Sequence, residues 1–147
     1  MPMWVFQADP ELFDVDSAIQ DEVLQEQGMT WLVRQHSKKI KDGDEVLIYR
    51  TGKNRAIIAE CKVFDEPRVQ PPDENVMKYW TEKAIKNGIS PRNRCWIEIL
   101  SFNLTGITYS TIKDTPGLES VSIGSQGTNI FIDPMERKIL RKLWNLI

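Results

Sequence analysis

The chain has 147 residues, 41% of them hydrophobic and 27% charged, which is the balance of one globular domain and not of a disordered or fibrous protein. Its formal net charge of −2 argues against non-specific coating of nucleic acid, which phosphate neutralisation drives, but leaves room for a reader that makes few phosphate contacts. No apolar run reaches the ~18 residues of a membrane span, and Met1-Pro2-Met3-Trp4 enters a strand pattern with no signal-peptide character, so a cytoplasmic location is expected.

Residues 3–7 (MWVFQ) are apolar and β-prone and read as a first, central strand, ended by Ala8-Asp9-Pro10. Asp14 or Asp16 caps a helix expected over residues 15–27, with Val15, Ala18, Ile19 and Val23 on one apolar stripe and Gly28 as its stop. Residues 30–34 (TWLVR) form a short, loop-like apolar junction around Trp31, and residues 35–40 a single helical turn. Arg34, Lys38, Lys39 and Lys41 make this the most basic stretch of the chain.

Strands follow at residues 45–50 and 55–64, joined by the short polar connector Thr51-Gly52-Lys53-Asn54, a hairpin signal. The prolines 67, 71 and 72 predict a surface loop over residues 65–74. Val76, Tyr79, Trp80 and Ala84 then sit at helical spacing, so one helix is expected over residues 75–87. Residues 94–104 read as a strand, 108–113 as a short helix, 115–124 as irregular chain and 129–132 as a last strand. Asp133-Pro134-Met135-Glu136 is a helix start with an N-cap, a proline at N1 and a capping-box Glu. In the helix it opens, Met135, Ile139, Leu143 and Ile147 are expected to face the core and Arg137, Lys138, Arg141 and Lys142 the solvent. The sum is one α+β domain over residues 1–147, a mixed barrel of five or six strands with flanking helices.

Catalytic constellations are missing from the sequence. One His and two well-separated Cys supply no zinc set, and Cys61 and Cys95 lie inside apolar strands as buried thiols of a reducing compartment. His36, beside Ser37 in a lysine-rich turn, reads as a solvated loop residue, and no nucleotide fingerprint occurs. Gly124-Ser125-Gln126-Gly127 fits an anion nest or a plain turn. The expectation is a protein that is not an enzyme and needs no metal or cofactor.

Aromatic and polar residues remain. Trp144 and Trp96 fit core faces. Trp31, next to Arg34 and Gln35, reads either as an exposed indole for stacking a flat heterocycle or as a plug at the end of the barrel.

In order and spacing the chain resembles the EVE domain family of the PUA-like superfamily, which also includes the YTH readers. The resemblance rests on Trp4-Val-Phe-Gln7 with Asp-Pro following, Thr30-Trp31-Leu-Val-Arg34, and Ile40-Lys-Asp-Gly43-Asp44 before Val46-Leu-Ile-Tyr49. Ala56-Ile-Ile-Ala59, Glu66-Pro67 and Gln126-Gly127-Thr128 extend it over nearly the whole chain. It implies a PUA-like barrel that reads a modified nucleic-acid base, typically a methylated or hydroxymethylated cytosine, flipped into an aromatic pocket. By that resemblance Trp31 is a cage indole, with Trp4, Tyr49 and Trp80 as further pocket members. Gln126 and Thr128 supply polar contacts, and Arg34 and Lys38 phosphate contacts. The competing readings are an RNA-binding PUA-like module, a protein-interaction adaptor with a vestigial pocket, and an enzyme acting on the flipped base.

Overall fold

A computed structural model describes residues 1–88, 90–124 and 127–147. The elements in chain order are β1 (Met3–Ala8), α1 (Val15–Gln20), α2 (Glu22–Gln27), β2 (Met29–Leu32), β3 (Glu45–Arg50) and β4 (Ala56–Gln70). They continue with α3 (Glu74–Met77), α4 (Glu82–Gly88), β5 (Arg92–Thr108), α5 (Tyr109–Asp114), β6 (Asn129–Ile132) and α6 (Pro134–Asn145). Among the described residues, six strands form one mixed sheet in the order β2-β5-β4-β3-β1-β6, with only β1 and β3 running parallel.

The α+β class, the six strands and the flanking helices agree with expectation, and the hydrogen-bonded ladder is not closed. Its edge strands β2 and β6 meet through side chains instead. Asn129 Oδ1 accepts from the backbone N–H groups of Arg34 (2.8 Å) and Gln35 (3.3 Å), and its Nδ2 donates to Leu32 O at 3.2 Å. Gln35 Oε1 returns the exchange, accepting from the N–H groups of Thr128 (2.9 Å) and Asn129 (3.0 Å). Two amide side chains therefore satisfy backbone groups that a sixth ladder, between β2 and β6, would have paired.

Both faces of the central strands are covered. Trp4, Phe6, Val46, Ile48 and Cys61 pack with α1, α2 and Trp31 on one side. Met3, Val5, Leu47, Tyr49 and Ile57 pack with α5, α6 and the 115–123 segment on the other. Burial on both faces explains why β3 is apolar at successive positions.

Four expected elements differ. The helix over 15–27 breaks at Asp21, which ends α1 with an extended backbone and caps α2 by accepting from the N–H groups of Val23 and Leu24. The break resets the helical phase, so Leu24 is buried and Val23 is exposed. Strand β4 runs through Pro67 because β3 stops pairing at Lys62 and a register shift between Asp65 and Arg68 takes the residue that lacks an N–H. The 30–34 junction is partly a true strand, β2, paired antiparallel to β5. The helix over 75–87 splits into α3 and α4 around Trp80.

In α6 the expected capping box forms, but Leu140 and Trp144 are the buried residues, while Met135 and Ile147 are exposed. Arg137 and Arg141 do not face solvent alone: Arg137 Nε donates to Glu45 Oε2 at 2.6 Å, and Arg141 bridges Glu45 and Glu60. These pairs pin the helix to the sheet. No helix among the described residues is long and apolar enough to cross a membrane.

Candidate nucleic-acid interface

A cavity of about 520 Å³ opens beside the β2–β6 seam. Its size lies within the range of small-molecule pockets. Trp31 lines it from β2, with its other surface against the core, 6.2 Å from Phe6 in a stacked arrangement and 5.9 Å edge-on to Phe13. At 6% exposure the indole is a buried wall, so the reading of Trp31 as an exposed indole is corrected and the reading as a packed plug fits, with part of its surface on the cavity.

The second aromatic wall is Trp80. It stands in the break between α3 and α4 because the chain there is tied to residues 11–14. The Asp14 N–H donates to Tyr79 O (2.7 Å), the Thr81 N–H to Leu12 O (3.0 Å), and Phe13 and Trp80 form an isolated β-bridge. Behind the ring, the buried Arg94 guanidinium lies 5.7 Å from its centroid. Tyr79 O–H donates to Asp21 and Lys78 Nζ lies 3.1 Å from the same carboxylate, which fastens this segment to the α1–α2 break. The Tyr79 hydroxyl, the Leu24 amide and the ammonium hold the Asp21 carboxyl down to about 2.

Polar groups converge on the same space. Asp9 enters from the end of β1, and its Oδ1 accepts from the Glu11 N–H. Thr30 Oγ1 accepts from the Asp73 N–H at 3.0 Å, which leaves its own proton to donate. Gln7 ties the two flanks of the last loop: its Oε1 accepts from the Gly124 N–H at 2.7 Å, and its Nε2 donates to Gly127 O. Thr128 lines the cavity next to it, and Arg34 and Arg92 stand exposed at the rim.

The structure thus brings Trp31, Trp80, Arg34 and Thr128 to one cavity. Gln126 lies outside the described residues. Trp4 and Tyr49 are elsewhere, and their expected place in the pocket is corrected. Trp4 is 2% exposed, packs on His36 and Phe131, and donates from Nε1 to the buried Asp44 at 2.9 Å. Tyr49 points to the opposite face of the sheet, where burial pushes its phenol up to about 12. Lys38 sits exposed in the turn after Arg34 and does not line the cavity.

Asp9, Phe13, Thr30 and Arg92 escaped the sequence reading. Asp9 looked like a strand terminator and Thr30 like part of a loop. A bulky Phe13 between a strand end and a helix cap was the one local hint. Among the described residues no group of three or more His, Cys, Asp or Glu could hold a metal ion, and both cysteines are buried and free.

The sequence profile of the EVE domain matches residues 2–146, and the chain belongs to that family. No curated protein matches it in sequence. Among solved structures, Rpa0253 from Rhodopseudomonas palustris superposes with a TM-score of 0.70 at 18% identity, covering 100% of this chain and 95% of that one. Human THYN1, crystallised in complex with 5-methylcytosine-containing DNA, gives 0.68 at 15% identity over 97% of each chain. The Mmi1 YTH domain gives 0.60 at 14% identity, covering 99% of this chain and 75% of that one. At these identities the likeness establishes the fold.

Proposed function

We propose that this EVE-domain chain binds nucleic acid without turnover, by taking one modified base out of its stack and into the cavity between Trp31 and Trp80. The observation that carries the reading is the meeting of two indoles from distant segments with a carboxylate and a hydroxyl in one recess. The half-buried Trp80 offers its face to a flat ring, and Trp31 forms the wall of the recess. Asp9 accepts from an exocyclic amine, as cytosine and adenine carry, and Thr30 and Thr128 complete the edge contacts. Arg34 and Arg92 at the mouth meet the strand's phosphates, and Gln126 and Lys38 are candidates for the same two roles. The human relative crystallised with 5-methylcytosine DNA supports a methylated cytosine as the first base to try.

The energetics bound the affinity. Extrusion costs a few kcal/mol, least for a base that is already unpaired. Stacking returns about 1–3 kcal/mol per base. One methyl group in an apolar pocket discriminates by only about 1–3 kcal/mol, so preference for a mark is a factor of ten to a few hundred.

The test is anisotropy titration of labelled oligonucleotides, DNA and RNA, that differ only in the base mark. Wild type should prefer one mark, and Trp80→Ala should lose that preference while staying folded, since Trp80 is only half-buried. Trp31→Ala also removes core packing, so it is read only after its stability is measured. Equal binding to every oligonucleotide, unchanged in Trp80→Ala, would sink the reading.

A further inference from the structure

A second recess, about 580 Å³, lies on the other side of the β3–β4 turn and is lined by Arg50, Lys53, Arg55, Thr108, Tyr109 and Ser110 among others. Thr51 lines the aromatic cavity, whereas Lys53 and Asn54 line this groove, so the same turn borders both.

The charge of the groove is already sorted. Arg50 is consumed internally: Nη1 donates to Asp16 Oδ1 (2.8 Å), Nε to Asn54 O (2.9 Å) and Nη2 to Leu104 O (3.0 Å). It neutralises the carboxylate in the groove and holds the turn in place. Lys53 and Arg55 are left exposed, with no acidic partner among the described residues. Arg55 is nevertheless positioned, its guanidinium 4.2 Å from the Tyr109 ring centroid. The Tyr109 N–H donates to Arg55 O at 3.0 Å, and Lys113 approaches the same ring at 5.6 Å. The hydroxyls of Thr108 and Ser110 stand beside them. A planar guanidinium held in one place, a second cation and the exposed Ser110 hydroxyl make a phosphate-binding set; the Thr108 hydroxyl is committed to Thr111 Oγ1 at 2.9 Å, and Arg55 lies over the half-buried Tyr109 ring.

We infer that this groove seats the phosphate backbone of the polynucleotide strand whose base enters the aromatic cavity, an inference that rests on the reader function proposed above. A chain of net charge −2 then binds a polyanion through local charge at two points, the rim of the cavity and this groove.

The test is Lys53→Glu/Arg55→Glu against wild type, titrated with a duplex carrying one marked base and with a trinucleotide carrying the same mark, over a series of salt concentrations. Lys138→Glu/Lys142→Glu makes the same charge change on α6, away from the groove. The groove variant should bind the duplex at least tenfold more weakly at low salt, with a salt slope shallower by about two. Its trinucleotide affinity and its ratio of marked to unmarked binding should match wild type. A wild-type slope in the groove variant, or an equal loss in the α6 variant, would overturn the inference. Displacement of the duplex by inorganic phosphate at matched ionic strength would overturn it too, by assigning the groove to a free anion. Absence of any preference for a mark in wild type would instead refute the reader function, and the salt slopes would still report on the groove.

Discussion

Asn129→Ala tests how an open ladder is held shut. Asn129 is 2% exposed, and its side chain makes three hydrogen bonds across the seam, to the amides of Arg34 and Gln35 and to the carbonyl of Leu32. Alanine leaves three backbone groups without that partner. At about 1 kcal/mol for each bond lost, and somewhat less where water reaches the half-exposed Gln35, the cost is about 2–4 kcal/mol. In urea the midpoint should fall with the slope unchanged, and the melting temperature should drop by roughly 5–12 °C. Asn129→Asp should recover part of the loss, because a carboxylate still accepts from both amides but cannot donate to Leu32 O. Gln35→Ala removes the reciprocal pair and should couple to Asn129→Ala in a double-mutant cycle. A cost for Asn129→Ala within about 0.5 kcal/mol of zero would refute the idea that side-chain amides close this edge. Arg34 and Thr128 line the cavity on either side of the seam, so ligand affinity should fall further than the stability loss alone accounts for.

Trp4→Phe takes one of two donors from the buried Asp44, which also accepts from the Lys41 N–H at 2.9 Å. It should cost about 1–3 kcal/mol by chemical denaturation and leave base preference unchanged. Gly106→Ala places a Cβ 1.9 Å from Ile57 O at φ +61°, a backbone clash that only a shift of the β4–β5 ladder relieves, so a loss above about 2 kcal/mol is expected in the same assay. Gly52→Ala, at φ +89° with its nearest neighbour 3.9 Å away, should cost only about 1 kcal/mol of backbone strain. Asp21 has its carboxyl lowered from 3.8 to about 2, so its contribution to stability is complete above pH 4 and is lost as pH falls toward 2. Tyr79→Phe removes the largest cause, and an NMR titration of the Asp21 carboxyl should move up toward the ordinary carboxylate range.

The mechanism that follows divides recognition into parts with separate readouts. On the reader function proposed above, the two indoles and Asp9 are expected to decide which base is held. The rim arginines and the Lys53–Arg55 groove are expected to decide how firmly the strand is held, and only that part should carry the salt dependence. The Tyr79–Asp21 hydrogen bond and the Phe13–Trp80 bridge hold the backbone that carries Trp80 in place.

Much of this protein is local and was readable in residue order. The runs at 45–50 and 129–132 are strands with those bounds, since apolar alternation and turn residues act within a few positions. The capping box at Asp133 formed as spelled, because its two hydrogen bonds close within three residues. Order and spacing along the chain also pointed to the family. Tertiary structure decided the rest. Asp21 and Trp80 interrupt sequences that are periodic enough for longer helices, because contacts with Tyr79 and Phe13 outweigh a turn of helix. Pro67 stays in a strand because β3 has already stopped pairing there. Trp4 and Trp31 look alike in sequence, each an indole in a short apolar run. One finds a buried carboxylate forty residues away and becomes core, and the other comes to border a void. Periodicity can assign a side chain to a face, but whether that face meets another element or an empty space depends on how distant segments pack.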